Sequence, residues 1–293
     1  MNKKNIFILG ANGMMGRYAT KYLQKYEFNI HEITRNNCNI NIYTLANINE
    51  SFPWIKLIKY DDIIINCIGQ IPHRNSFNNQ DAIIINSLFP HILYDICTLK
   101  GAKLIHISTD CVFSGEKGGY NETNKHDATD VYGKSKSLGE PENACIIRTS
   151  IIGEEIRNKK SLLEWVKSQK GKTVTGFKNV YWNGVTCLQL AKYIKEIIDK
   201  NTLWTGVKHY TSTRDISFLN PLTGYPDPPI MHHDFISKAD LIHYISEIYD
   251  LNIHIEYDTS IKKNMTLSSI YPLIETPTIG EQLEEMKEFN IYE

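Results

Sequence analysis

Short apolar runs alternate with amphipathic stretches through the first half of the chain. The runs are apolar almost without interruption, as in parallel strands that are buried on both faces. Between them, apolar residues recur at the spacing of one helix face. Predicted strands cover 5–10, 30–34, 62–69, 102–109 and 144–150. Predicted helices cover 14–26, 44–59, 80–100 and 132–140, with interruptions expected near Pro53 and Pro90. The alternation predicts an α/β fold with a doubly wound parallel sheet.

The second half is less regular and predicts a smaller α/β region. Ser237 and Thr278 are predicted helix N-caps, because an acidic residue follows each of them by three positions. The stretch 217–233 is rich in proline and aromatic residues, which predicts a long ordered loop or lid. Helical spacing covers 161–169, 186–199, 237–249 and 279–289, and a β-like run covers 253–257.

Composition and charge argue against several classes of protein. The 293 residues carry a formal net charge of -1, unlike the basic balance of nucleic-acid-binding proteins. Since no uninterrupted apolar run approaches the roughly 18–20 residues that span a bilayer, we expect a cytoplasmic protein without membrane contact. The six cysteines form no Cys-x-x-Cys pair, and the adjacent His232 and His233 would point to opposite sides of a strand. These patterns favour reduced thiols and no bound metal.

A glycine triplet follows the first predicted strand and opens the first predicted helix. It reads Gly10-Ala-Asn-Gly13-Met-Met-Gly16, which fits G-x-x-G-x-x-G. Glycines let the backbone turn tightly and approach a pyrophosphate, which rests on the helix N-terminus. Strand, glycine turn and helix together predict a dinucleotide-binding site in a Rossmann-type sheet.

The end of the second predicted strand bears on the choice of dinucleotide. A carboxylate there would bind the ribose of NAD, but this chain has Thr34-Arg35-Asn36-Asn37. The planar guanidinium of Arg35 can pair with a 2′-phosphate, although a solvated surface arginine is the alternative. The sequence therefore favours NADPH and leaves NADH open.

A tyrosine and a lysine four residues apart share one face of the helix predicted over 132–140. These are Tyr132 and Lys136, and Ser108-Thr109-Asp110 ends the strand before them. A nearby ammonium lowers the pKa of a phenol, which can then exchange a proton with a substrate oxygen as hydride moves. The Thr109 hydroxyl can hold that same oxygen.

These elements, taken in order, resemble an extended short-chain dehydrogenase/reductase. The chain is most similar to the dTDP-4-dehydrorhamnose reductase branch, which acts on nucleotide-activated sugars. The matching elements are Ser-Thr-Asp-Cys-Val-Phe-Ser-Gly (108–115), Gly119-Tyr-Asn-Glu122, Val131-Tyr-Gly-Lys-Ser-Lys-Ser-Leu-Gly-Glu140 and Arg148-Thr-Ser150. A departure is Cys111, which stands where the family usually has tyrosine. Asn39 and Asn41 lie where related enzymes often carry an aspartate that contacts adenine.

The resemblance implies roles for individual residues. Thr109, Tyr132 and Lys136 would be catalytic, and Lys136 would also hold the nicotinamide ribose. Asp110 could bind substrate or brace a turn, while Trp182 could line the sugar-nucleotide cleft or belong to the core. The residues implied to wrap the pyrophosphate are Gly10, Asn12, Gly13, Met14, Met15 and Gly16. Those implied to face the ribose and nicotinamide are Asn66, Cys67, Ile68 and Gly69.

The resemblance also implies a function and an organisation. The expected activity is NAD(P)H-dependent reduction of a nucleotide-activated 4-keto-6-deoxy sugar, dTDP- or UDP-linked, for deoxysugar and surface polysaccharide synthesis. A sugar-nucleotide epimerase, a UDP-N-acetyl-6-deoxyhexosamine 4-ketoreductase and a non-catalytic regulatory subunit are the alternatives. Residues 1–150 would form the dinucleotide-binding domain. Residues 151–293 would mainly bind substrate, with the chain free to cross back to the sheet. The sugar, the nucleotide and the oligomeric state, including a homodimer, stay open.

Overall fold

The computed structural model describes residues 3–72, 77–157, 159–212, 235–272 and 274–292. The predicted loop over 217–233 and the pair His232 and His233 lie outside these ranges. The strands are β1 Lys4–Leu9, β2 Phe28–Ile33, β3 Ile63–Asn66, β4 Lys103–Thr109, β5 Cys145–Thr149, β6 Ile151–Ile152, β7 Thr173–Phe177, β8 Val180–Trp182, β9 Val185–Thr186, β10 Gly206–His209, β11 Ile236–Ser237, β12 His254–Asp258 and β13 Lys263–Asn264. The α-helices are α1 Met14–Leu23, α2 Ile42–Ala46, α3 Ile48–Ser51, α4 Asn79–Ala82, α5 Phe89–Lys100, α6 Val131–Leu138, α7 Leu162–Lys167, α8 Cys187–Asp199, α9 Lys238–Ile248 and α10 Ile279–Phe289.

A six-stranded parallel sheet organises the fold, in the order β10-β5-β4-β3-β1-β2. Alternate residues of each strand enter different cores. Ile6 and Ile8 of β1 pack with α1 and α8 on one face, whereas Phe7 and Leu9 pack with α5 on the other. Both faces are therefore covered, which explains the uninterrupted apolar runs and confirms the doubly wound Rossmann-type prediction.

The chain crosses back to this sheet after residue 150. β10 pairs in parallel with β5, which places His209 opposite Arg148. Helix α8 packs against α1 on the same face of the sheet. The sixth strand of the sheet thus comes from the second half of the chain, while the division of function at residue 150 stays a prediction.

The long helix predicted over 80–100 is continuous but changes its winding. α4 runs into a π-helical segment, Ile83–Leu88, and then into α5, which has Pro90 in its first turn. By length and mean hydropathy, Asn79–Lys100 could cross a bilayer. In this fold, its buried residues Phe89, Leu93 and Cys97 pack against the sheet. The apolar composition of Asn79–Lys100 is thus explained by the side of the helix that faces the core.

The smaller region contains short strands and the last two helices. β12 pairs with β7, β8 lies between β11 and β13, and β6 pairs with β9. The Ser237 hydroxyl accepts the Asp240 N–H at the start of α9, and Thr278 forms a reciprocal capping box with Glu281 at the start of α10. Both N-cap predictions are confirmed, because the side-chain oxygen satisfies an N–H group that the helix leaves free.

Candidate active site

The glycine turn brings the start of α1 against the end of β1. Gly10 has φ +78°, a left-handed conformation that favours glycine. A Cβ on Gly16 would lie 2.1 Å from the carbonyl oxygen of Gly10, so a side chain there would push the helix away from the turn. Gly13 is the N-cap residue of α1 and has no side chain that could accept a hydrogen bond from the first N–H groups of the helix. The first turn of α1 therefore presents backbone donors to an anion.

A cavity of about 630 Å³ opens in front of this turn. Its volume falls in the range of small-molecule and cofactor sites. It is lined by Gly10, Asn12, Gly13, Met14, Arg17, Thr34, Arg35, Asn36, Cys38, Asn39, Ile40, Cys67, Ile68, Gly69, Gln70, Asp81, Ile85, Glu154, Glu155, Ile156, Arg157 and Lys160.

Most of the residues predicted to bind the cofactor line this cavity, but Tyr132 and Lys136 do not, and three others lie behind its wall. Met15 is packed in the core beneath α1, and Gly16 contacts the turn. Asn66 is fully buried: its Oδ1 accepts the N–H of Ile68 at 3.1 Å, and its Nδ2 lies 3.1 Å from Nδ1 of His106. These residues shape the wall. The predicted residues that line the cavity are Gly10, Asn12, Gly13, Met14, Arg35, Cys67, Ile68 and Gly69.

Several cations around the cavity were not predicted from the sequence. Arg17 lies in the first turn of α1, and its place directly after the glycine triplet could have indicated it. Arg157 and Lys160 come from the segment after β6 on the far wall, where no spacing pattern points to them. With Arg35, they make four cationic side chains against the three carboxylates of Asp81, Glu154 and Glu155, and the arginine guanidinium groups suit a phosphorylated ligand.

Asn39 and Asn41 have different positions. Asn39 lines the cavity, whereas Asn41 is the N-cap of α2 and accepts N–H groups of Tyr43 and Thr44. Of the two positions compared with the family's aspartate, Asn39 is therefore the one exposed to a ligand.

The three predicted catalytic residues meet at the carboxyl end of β4. Thr109 is the last residue of β4, and α6 packs against β4 and against the turn that follows it. Tyr132 and Lys136 lie on α6, whose N-cap Asp130 accepts the N–H of Gly133 at 2.9 Å. The Lys136 ammonium donates to the carbonyl oxygen of Ile107 at 2.9 Å.

The pKa of the Tyr132 phenol lies above its ordinary value, opposite to the sequence-based expectation of a lowered pKa. Burial is the main cause, followed by the negative potential of Cys111. Asp110 and Asp130 add to the rise, while the neighbouring Thr109 hydroxyl opposes it. Spacing on a helix predicted the neighbours of the phenol but not its burial, which here dominates. A phenol that keeps its proton is suited to donate it.

Burial lowers the pKa of the Lys136 ammonium to about 8, against the opposing attraction of Glu140 and Cys67. Its Nζ also lies 3.4 Å from Nε2 of His106, which is fully buried between Lys136 and Asn66. Because Cys67 lines the cavity and lies in the electrostatic field of the Lys136 ammonium, the predicted catalytic lysine lies beside the cavity at this point, although Thr109, Tyr132 and Lys136 do not themselves line it.

Asp110 and Trp182, predicted to contact substrate, are both buried. The Asp110 carboxylate accepts the Thr109 hydroxyl at 3.1 Å and the Cys111 thiol at 3.4 Å, and it hydrogen-bonds Ser150. It thus braces the turn after β4, which was one of its two predicted roles. Trp182 is 3% exposed and belongs to the core, and the Lys238 ammonium lies 5.1 Å from the centre of its ring.

A buried charge network lies behind the catalytic strand. The guanidinium of Arg148 donates to Glu140 through Nε at 3.0 Å and Nη2 at 2.5 Å. Ser108 also donates to Glu140, and Arg148 contacts Nε2 of His126 and of His209 at 2.8 Å each. Burial alone would raise the pKa of Glu140, but Arg148 holds it below its ordinary value. Glu140 and Arg148 belong to the family-like elements, yet no spacing pattern in the sequence indicates that they pair.

Comparisons with known proteins agree with this architecture. Residues 4–220 match the family described as RmlD substrate binding domain. The dTDP-4-dehydrorhamnose reductase of Mycobacterium tuberculosis is 29% identical over 162 residues, which are 51% of this chain and 50% of that protein. That of Aggregatibacter actinomycetemcomitans is 26% identical over 228 residues, 73% of this chain and 75% of that protein. A spore coat polysaccharide biosynthesis protein of Bacillus subtilis is 30% identical over 156 residues, 50% of this chain and 53% of that protein.

The chain thus spans about half the length of several curated relatives that it matches. Among solved structures, dTDP-4-dehydrorhamnose reductase of Bacillus anthracis in complex with NADP superposes with a TM-score of 0.75. It is 20% identical, and the match covers 98% of this chain and 100% of that one. At this identity the superposition establishes the shared fold.

Proposed function

Because the chain belongs to the RmlD substrate binding domain family, we propose that it reduces the 4-keto group of a nucleotide-linked 6-deoxy sugar with NADPH. The observation that carries this proposal is the Tyr132–Lys136 pair of α6 beside Thr109 at the carboxyl end of β4, where the Lys136 ammonium donates to the Ile107 carbonyl oxygen at 2.9 Å. The pair adjoins a cavity built around a glycine turn, so a carbonyl group and a dinucleotide can meet there.

The residues present fit a phosphorylated dinucleotide. A Cβ on Gly10 would lie 3.2 Å from the backbone of Cys67, and the positive φ of Gly10 strains other residues, so the turn that faces the cavity keeps its shape only with glycine. The N-terminus of α1 and Arg17 would hold the pyrophosphate, and Arg35 would hold the 2′-phosphate. The bound cofactor would supply the hydride.

The chain's own residues would position the carbonyl group and supply the proton. Thr109 would donate a hydrogen bond to the carbonyl oxygen, and Tyr132 would deliver the proton to that oxygen as the alcohol forms. Lys136, fixed by the Ile107 carbonyl oxygen, would offer its remaining protons to the nicotinamide ribose. The product would serve surface polysaccharide synthesis in the cytoplasm.

NADPH consumption tests the proposal directly. The purified protein would be mixed with NADPH and a panel of dTDP- and UDP-linked 4-keto-6-deoxy sugars that a dehydratase makes in situ. Oxidation of NADPH with one donor supports the reductase and identifies the nucleotide. A changed sugar configuration without net NADPH consumption would instead indicate an epimerase. Cofactor binding without any sugar conversion would indicate a regulatory protein.

The charge of Lys136 predicts how activity depends on pH. Because the folded pKa is about 8, the ammonium is present below this pH and is lost as the pH rises through it. We expect kcat/KM for NADPH to fall by about tenfold per pH unit above this pKa. Lys136→Arg keeps its charge and should move the fall to higher pH. Lys134→Met, on the exposed side of the same helix, should leave the wild-type profile unchanged. A wild-type profile that is flat up to the ordinary lysine range would contradict this role.

Arg35 predicts the preference between the two cofactors. A charge-assisted contact with a 2′-phosphate stabilises binding by about 1.5–3 kcal/mol, so Arg35→Ala should raise KM for NADPH by roughly 10–100-fold. KM for NADH, which lacks that phosphate, should stay within about twofold, a change of less than 1 kcal/mol. Steady-state kinetics with both cofactors measures the ratio. An equal loss for NADPH and NADH would show that Arg35 does not contact the 2′-phosphate.

A further inference from the structure

A histidine that the proposed mechanism does not use lies buried beside Lys136. His106 belongs to β4, where the parallel pairing with β3 puts it opposite Asn66. Its ring lies between the two side chains, with Nδ1 3.1 Å from Nδ2 of Asn66 and Nε2 3.4 Å from Nζ of Lys136. Because His106 is fully buried, these two contacts decide which ring nitrogen carries the proton.

The direction of each hydrogen bond around His106 follows from a backbone N–H group. The N–H of Ile68 can only donate, and it lies 3.1 Å from Oδ1 of Asn66. This contact turns Nδ2 of Asn66, which can also only donate, towards the ring of His106. Nδ1 of His106 must therefore accept, so the proton of the neutral ring is on Nε2. That proton faces the nitrogen of Lys136.

The contact between His106 and Lys136 depends on the charge of the lysine. Burial, with the charges of Lys136 and His91 in addition, holds the pKa of His106 well below its ordinary value, so the ring is neutral. An ammonium has no lone pair for the Nε2 proton, and two donors then face each other. A neutral amine can accept that proton. The Ile107 carbonyl oxygen, 2.9 Å from Nζ, can accept a proton from either form of the lysine.

The other titratable groups near Lys136 come from three elements. Burial alone would raise the pKa of Glu140, just after α6, but its ion pair and hydrogen bonds hold it below the ordinary value. Burial raises the pKa of Cys67, after β3, to about 12. Burial also raises the pKa of Asp110 and Cys111, in the turn after β4 that packs against α6. Of these neighbours, Glu140 and Cys67 act on the charge of Lys136, and both favour the ammonium.

We propose that His106 is a positioning residue for the reduction: held by Asn66 with its Nε2 proton towards Lys136, it favours the neutral amine and so sets the pH at which the lysine loses its charge. This inference rests on the proposed reductase function and deepens it, because Lys136 would hold the nicotinamide ribose in that reaction. The chain of donors begins at Ile68, which lines the cavity, and reaches Lys136 through Asn66 and His106.

The pH profile of His106→Gln tests the assignment. The glutamine amide has nearly the reach of the imidazole, and its carbonyl oxygen can accept from the Lys136 ammonium. The fall of kcat/KM for NADPH should therefore move to higher pH by about one to two pH units, the effect of one hydrogen bond to a charged group. At high pH the variant should keep roughly tenfold more of its own maximal activity than the wild type keeps. A lower maximum with an unmoved fall would show that His106 only packs the strand, and would overturn the proposal.

The matched control is His31→Gln. His31 lies on β2 of the same sheet, which β3 and β1 separate from β4. Its Nε2 also has asparagine neighbours, 3.2 Å from Nδ2 of Asn29 and 3.3 Å from Oδ1 of Asn5. The control should leave the fall of the profile at the wild-type pH. An equal movement in both variants would mean that the effect is not specific to the ring beside Lys136.

Asn66→Asp tests the direction of the chain. Aspartate has the shape of asparagine, and it can accept both the Ile68 N–H and a ring proton on Nδ1 of His106. Nε2 would then offer a lone pair to the Lys136 ammonium, and the fall should again move to higher pH.

The new carboxylate could also act through its charge alone, so Asn66→Asp is combined with His106→Gln. If Asn66→Asp acts through the ring, most of its effect should disappear when the ring is already gone. Effects that simply add in the double variant would contradict the proposed chain.

NMR of the protein without substrate separates this inference from the reductase proposal. Isotope-labelled histidine should show the His106 proton on Nε2 in the wild type and on Nδ1 in Asn66→Asp. Isotope-labelled lysine should show Lys136, assigned by its absence in Lys136→Arg, titrating at higher pH in Asn66→Asp and in His106→Gln. A wild-type proton on Nδ1, or an unmoved lysine titration, would overturn the proposal even in an active reductase. If both results are found but no keto sugar is reduced, the reductase proposal fails and the control of the Lys136 charge by His106 stands.

Discussion

Replacement of Tyr132 by phenylalanine is expected to lower kcat by about 10²–10⁴-fold, the range attributed to a positioned general acid. The phenyl ring keeps the shape and packing of the side chain, so affinity for NADPH should stay within about twofold. The hydroxyl is the group that would pass its proton to the carbonyl oxygen, and the raised pKa keeps that proton on the phenol at neutral pH until the transfer. Stopped-flow measurement of NADPH oxidation, with cofactor affinity from fluorescence, separates the two quantities.

The matched control for this variant is Tyr26→Phe. Tyr26 is exposed near the end of α1, and its hydroxyl donates to Tyr22 at 3.0 Å, far from the catalytic turn. This variant loses the same hydroxyl group and should keep wild-type kcat. Wild-type turnover by Tyr132→Phe would exclude Tyr132 as the proton donor.

Arg148→Met is expected to be the most destabilising of the substitutions considered. Arg148 is 2% exposed, and its removal leaves the buried Glu140 carboxylate without its bidentate partner. Breaking a buried ion pair from one side costs about 3–5 kcal/mol, because a desolvated charge stays uncompensated. A loss of this size should lower Tm by on the order of 10 °C. Denaturant unfolding followed by circular dichroism measures the free energy directly.

Two companion variants locate the cause of that loss. Replacing both residues, as Arg148→Met with Glu140→Leu, removes the orphaned charge and should recover much of the stability. Lys195→Met breaks the Lys195–Asp199 ion pair on the surface and should change the free energy of unfolding by less than about 1 kcal/mol. If Arg148→Met is as mild as Lys195→Met, the network does not stabilise the fold.

Much of the sheet could be predicted from the sequence because its strands are buried on both faces. The centre of β3, residues 63–65, is apolar without interruption. The N-caps Ser237 and Thr278 are recognised from the acidic residue three positions after each of them. β10 was missed because Gly206–His209 is a short edge strand, and three of its four residues are only half-buried. The sequence left open that the chain crosses back to the sheet after residue 150, but it did not indicate which residues form the returning strand.

The candidate site could be predicted only where its chemistry is local in sequence. The glycine turn and the Tyr132–Lys136 pair can be recognised from their spacing in the sequence. The cavity residues Arg157 and Lys160 cannot, because they come from an irregular segment after β6. The burial of a side chain cannot be read from spacing either. The expected lowering of the Tyr132 pKa was therefore wrong, because burial raises it.

Transfer of deuterium tests the proposed reductase most directly. NADPH that carries deuterium at the transferred position would be incubated with the protein and the keto sugar on which it is active, and the product would be examined by NMR and mass spectrometry. The predicted result is one deuterium at C4 of the sugar for each NADPH consumed, with this transfer lost in Tyr132→Phe. A converted sugar that carries no deuterium at C4, or NADPH that is bound but never consumed with any donor, would contradict the proposed function.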